Sequence, residues 1–84
     1  MRMLALSLVF LPVCALPSRA EDIAACLARD VVLTRQADSF TGDAKMKRLI
    51  EADLKRAKKE AAEGDAEECT EALDHAAKLL AGGA

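Results

Sequence analysis

The stretch Gly64-Asp65-Ala66-Glu67-Glu68-Cys69, "GDAEEC", reads as one helix stopping and another starting, with a cysteine one turn inside the new one. Glycine accepts the left-handed conformation that closes a helix. An aspartate directly after it can take hydrogen bonds from the first free amides of the next helix. Glu68 stands three residues beyond Asp65, the spacing of a capping box in which the second carboxylate reaches back. The string "TGDA" at residues 41–44 repeats the punctuation. Gly42 and Gly64 are therefore expected to end helices, and Asp43 and Asp65 to begin them. The residues after the two strings do not match beyond helical character, so the same turn chemistry is used twice without a sequence repeat.

These turns divide the chain into helices of about Asp22 to Ser39, Ala44 to Glu63 and Ala66 to Ala81, with Gly82-Gly83 leaving a frayed tail over residues 82–84. Apolar residues recur at three- and four-residue spacing: Ile23, Leu27 and Val31 with Cys26 beside them, then Met46, Ile50, Leu54, Ala57 and Ala61, then Ala66, Cys69, Leu73, Ala76 and Leu80. Alternation of the strand type is absent. Connections this short favour antiparallel neighbours, so the expected fold is an all-α, up-down-up three-helix bundle.

That topology answers what Cys69 pairs with. The first and third helices run parallel, and Cys26 and Cys69 each sit about one turn from the start of theirs, hence at nearly equal depth. Ala24, Ala25, Ala28, Ala66 and Ala72 are small enough to let the two helices approach to disulfide range. One disulfide joining the first and third helices is expected. Closing a 43-residue loop removes about 4 kcal/mol of unfolded-state entropy in the chain-entropy model. For so small a domain, which buries only about 60% of its unfolded surface, a crosslink of that size is decisive. A redox-active or metal-bound pair is the weaker reading. There is no Cys-x-x-Cys, and the carboxylates around Cys69 disfavour a thiolate.

The N-terminus, "MRMLALSLVFLPVCALPSRA", combines a positive start at Arg2, an apolar run from Leu4 to Leu16 and the small residues Ser18 and Ala20 before a cut. That order is a secretory signal peptide over residues 1–20, with cleavage after Ala20. The run is short for a spanning helix. Acylation at Cys14 is disfavoured because Pro12 and Val13, rather than small residues, precede it. The expected mature domain is residues 21–84, exported, to the periplasm first and the extracellular space second. An oxidising compartment agrees with the disulfide.

Without Arg2 and Arg19 the domain keeps 10 basic against 14 acidic residues. That balance argues against nucleic-acid binding, which needs a cationic excess to displace counterions. Phe40 is the one aromatic left after residue 20, so base-stacking platforms and aromatic peptide grooves are poorly supplied. His75 shares a helix face with Glu71, but a metal site needs further ligands and the chain has no second histidine. The bland expectation is a histidine paired with Glu71. Ser39, Thr34, Thr41 and Thr70 lack the base and oxyanion turn of a nucleophilic site, and neither Gly-Asp turn has a phosphate loop's glycines and lysine. No catalytic set, cofactor or metal is expected.

Charge is the asymmetry that stands out. The second helix carries Lys45, Lys47, Arg48, Lys55, Arg56, Lys58 and Lys59 against Glu51 and Asp53 over residues 45–59, while the third carries Asp65, Glu67, Glu68, Glu71 and Asp74 against Lys78. One reading is internal, with Lys55, Lys58 and Lys59 facing Glu67, Glu68 and Glu71 across the hairpin. Another makes Lys45, Arg48, Lys55, Arg56, Lys58 and Lys59 a docking face for an acidic partner protein. Membrane-surface contact fits less well, since the bulky interfacial residues of surface-seeking helices are missing. Self-association of opposite charge is the third. The expected function is a non-catalytic binding or accessory module contacting another envelope or secreted protein. A small-ligand or metal carrier near His75, or a purely structural or stress-protective envelope protein, is the alternative.

Overall fold

The computed structural model describes residues 19–82, which form three helices: α1 (Arg19–Asp38), α2 (Ala44–Ala62) and α3 (Ala66–Leu80). They pack as an up-down-up bundle in which each helix contacts the other two. The expected signal peptide and Cys14 lie outside the described residues, apart from Arg19 and Ala20, which form the first residues of α1. Helix α1 thus begins three residues before the expected Asp22, because Arg19-Ala20-Glu21 contains no residue that opposes helix. The helical segments α2 and α3 each stop one residue short of the expected end.

The α2–α3 turn closes by main-chain geometry. Gly64 has φ +83°. Its amide donates to Ala61 O at 3.0 Å and the Asp65 amide to Glu60 O at 2.9 Å. These are the paired bonds of a Schellman motif. The Asp65 carboxylate accepts from the Glu68 amide at 3.0 Å and caps α3. The reciprocal half of the capping box does not form. The Asp65 amide is already bonded to Glu60 O, and the Glu68 carboxylate turns instead to Arg56.

The α1–α2 turn works differently and corrects two expectations. Helix α1 ends at Asp38, where Ser39 shares its amide between Arg35 O and Gln36 O and Phe40 bonds back to Ala37 O at 3.1 Å. Gly42 lies beyond that end and is not left-handed; positive φ occurs at Gly64 and Gly82 among the described glycines. What Gly42 supplies is room, since a Cβ there would lie 2.6 Å from Phe40 Cζ. Phe40 can therefore fold back, half-buried, onto the core. Asp43 holds the N-cap position of α2 with extended backbone, but its side chain caps nothing. At the other end of the chain, Gly82 donates to Leu79 O at 3.3 Å. Residues 83–84 of the expected tail lie outside the described residues.

The core is built from Cys26, Leu33 and Ala37 of α1, Ile50, Leu54, Ala57 and Ala61 of α2, and Cys69, Ala72, Leu73 and Ala76 of α3. Five of these eleven are alanine, so the helices approach closely around few large side chains. Cys26 and Cys69 are joined by a disulfide, with their α-carbons 6.4 Å apart. That bond decides how α1 is turned. Pointing Cys26 at α3 brings Asp30, Leu33 and Ala37 inward at helical spacing. The expected inward stripe of Ile23, Leu27 and Val31 is overturned: Ile23 packs at the core's edge, Leu27 is 38% exposed, and Val31 and Val32 are each 51% exposed.

Candidate functional site

Apart from the half-buried Lys47, the structure sorts the basic residues of α2 into three groups by the direction each leaves the helix. Lys58 turns inward toward α1, where its Nζ lies 3.0 Å from Asp30 Oδ2. Asp30 is buried, at 3% exposure, and its other oxygen has no hydrogen-bond partner, as is true of the buried Thr34 Oγ1. Arg56 leaves toward α3 and meets Glu68 at 3.4 Å. Lys45, Arg48, Lys55 and Lys59 lie on the exposed side of α2, with Lys55 at its edge beside the hollow that Thr34, Ala37 and Asp38 of α1 line. Arg48, Lys55 and Lys59 each sit two residues, or about 200° of turn, from a buried position among Ile50, Ala57 and Ala61.

From Lys45 to Lys59 this outward row covers 15 residues, roughly 21 Å of helix. All four side chains are exposed. Lys45, Arg48 and Lys55 make no ion pair among the described residues. Lys59 has a 3.9 Å contact with Glu63 one turn along, on a side chain that is 71% exposed. Exposed pairs of that kind contribute about 0–1 kcal/mol. Helix α2 also has no acidic residue in its first turn. Lys45, Lys47 and Arg48 thus add to the positive end of the helix dipole where most helices place carboxylates.

The expected ladder from Lys55, Lys58 and Lys59 to Glu67, Glu68 and Glu71 does not form. The charged side chains of α2 that pair with α3 are Asp53 and Arg56, while Lys58 pairs with α1 and Lys55 with neither helix. The bridging is spread instead over Arg56–Glu68, Arg29–Asp74 at 2.7 Å and a contact between His75 Nδ1 and Asp53 Oδ2. His75 therefore pairs across the α2–α3 interface with Asp53 and not with Glu71 on its own helix. Glu71 still acts on its neighbour. Its charge is the main reason the Glu68 carboxyl is held above its ordinary range, followed by partial desolvation and by Asp65, with Arg56 opposing.

Other chemistry finds little support in the geometry. The hollow beside His75 is lined by Glu71, Asp74, His75 and Lys78, all from α3, so it is a depression on one helix and no pocket between helices. Among the described residues no three histidine, cysteine or carboxylate side chains converge as a metal site would require. The two described cysteines are oxidised and buried, Cys26 at 4% and Cys69 at 0% exposure. No described helix is long and apolar enough to cross a membrane. Comparison with protein-family models, with curated proteins and with solved structures returns no match.

Proposed function

We propose that this chain is an exported, non-catalytic docking module whose α2 presents Lys45, Arg48, Lys55 and Lys59 to an acidic surface on another protein. One observation carries the reading: a row of cations directed away from the core, three of them without a carboxylate partner among the described residues. The chain carries enough acid to neutralise them, yet the bundle places that acid elsewhere. Its bridges between helices go to Arg29, Arg56, Lys58 and His75, and the row itself has only the 3.9 Å Lys59–Glu63 contact. Cations concentrated at a helix N-terminus raise the local potential and steer acidic partners more than they stabilise the monomer. Export rests on the signal-peptide pattern of residues 1–20 and on the disulfide, which suits an oxidising compartment.

The test is capture of partners from native envelope extract on the tagged, oxidised protein at low and high salt. The expected partner elutes as ionic strength rises through a Debye length of about 8 Å to about 3 Å. It is also lost in the Arg48→Glu/Lys55→Glu variant, whose circular dichroism stays that of the parent. Lys58 is left out of the reversal because it neutralises Asp30 inside the bundle. A partner held equally at both salts, or held by the reversed variant, would refute docking through this face.

A further inference from the structure

Helices α1 and α2 do not close along their whole seam. Between them lies a hollow of about 220 Å³, lined by Thr34, Ala37 and Asp38 of α1 and by Glu51, Leu54, Lys55 and Lys58 of α2. Ala37 and Leu54 are buried and give the lining its apolar part. The two helices run antiparallel, and the Asp30–Lys58 contact at 3.0 Å fixes their register. Glu51 stands seven residues before Lys58, and Asp38 eight after Asp30. The two carboxylates therefore share one end of the hollow and the two lysines the other. From Glu51 to Lys55 is about 6 Å along the axis.

These groups are not used by the bundle itself. Asp38, Glu51 and Lys55 are exposed and make no ion pair among the described residues. The seam behind them is unsatisfied as well, since the buried Thr34 Oγ1 and Asp30 Oδ1 have no hydrogen-bond partner. Single unpaired charges on a surface are ordinary. Here both signs are held apart across an apolar strip, and small-molecule sites combine apolar lining with a few polar groups that set orientation. A lone anion meets repulsion at the carboxylate end and a lone cation at the lysine end, whereas a zwitterion is complementary at both. An α-amino acid carries its charges too close together to reach the two ends. An ω-amino acid spans them and lays its methylenes over Ala37 and Leu54. We infer that this hollow binds a small linear ω-amino acid, its ammonium at Asp38 and Glu51 and its carboxylate at Lys55 and Lys58. Lys58 keeps Asp30 while doing so, because an ammonium has further protons to donate. The site is open to water and its pairs are screened, so the complex is weak, with a Kd on the order of 10⁻³ M.

Titration of the oxidised, isotope-labelled protein with δ-aminovalerate up to about 20 mM, followed by amide chemical shifts, tests this. Saturating shifts are expected over residues 34–38 and 51–58. Valerate and pentylamine, each carrying one of the two charges, should bind about tenfold more weakly. Asp38→Asn and Glu51→Gln should each weaken δ-aminovalerate several-fold with an unchanged circular dichroism spectrum; they lie on different helices, so either serves if the other fails to fold. No saturable shift, shifts clustered elsewhere on the bundle, valerate binding as tightly as the zwitterion, or full affinity in the folded variants would overturn the inference. Lys55 belongs to both this hollow and the basic row, but Asp38 and Glu51 lie outside the row. Both variants should still capture the acidic partner in a salt-dependent way, so this reading and the docking reading can fail separately.

Discussion

Lys58→Met isolates Asp30, the one buried charge among the described residues. Methionine keeps most of the aliphatic stem and removes the ammonium that lies 3.0 Å from Asp30 Oδ2. The Asp30 side chain is only 5% exposed and its second oxygen already lacks a partner, so the variant leaves a carboxylate with no cation and little water. Breaking a fully buried pair costs about 3–5 kcal/mol. Here the lysine end is 57% exposed, and solvent can follow the lost ammonium, which lowers the expected cost to about 1–3 kcal/mol. For a domain of this size that is a fall in Tm of about 4–8 °C for each kcal/mol. Two comparisons make the reasoning specific. Lys55→Met, on the outward face, should stay within about 0.5 kcal/mol of the parent. Asp30→Leu/Lys58→Met should recover most of the loss, because an apolar pair of similar volume replaces ions that gain little from burial. Thermal and urea denaturation followed by circular dichroism measures all three. If Lys58→Met behaves like Lys55→Met, the Asp30 carboxylate is hydrated and the pair is ornamental.

The two glycine turns should respond differently to substitution. Gly64→Val should destabilise by more than about 1 kcal/mol through its left-handed backbone. Gly42→Ala should instead act through Phe40, so its cost in the parent should vanish in a Phe40→Leu background; an equal cost in both backgrounds would refute that. Cys26→Ser and Cys69→Ser should each lose about 2–5 kcal/mol under oxidising conditions, and equal stability with the parent would remove the crosslink from the account. Glu68 titrates above its ordinary range in the fold, so its charge opposes folding above that folded pKa and the opposition is relieved as pH falls through it. Glu68→Gln should therefore match or exceed the parent's Tm at pH 7, with any gain fading on acidification; a lower Tm at pH 7 would mean that the Arg56 contact outweighs the Glu71 repulsion.

Local chemistry was legible in the chain itself. Three helices, the turn at Gly64-Asp65 and the pairing of Cys26 with Cys69 come from residues a few positions apart and from the short connections that make α1 and α3 parallel. Capping bonds and helical spacing are satisfied within one or two turns, so the sequence carries them whole. The rotation of α1 is different. Alanine counts as apolar on either face, and Leu27 and Val31 offered as good a stripe as Leu33 and Ala37, so periodicity alone could not choose. A covalent bond at Cys26 chose, and it carried Asp30 into the core and the valines out. Gly42 misled for a related reason: its role is set by where the Phe40 ring returns, which no local pattern records. The charges of α2 were visible as a run, but a run has no direction. Only the packed neighbours give Lys58 to Asp30 and Arg56 to Glu68. Lys45, Arg48 and Lys55 are left facing water, because a step of 100° per residue turns each toward a different surrounding.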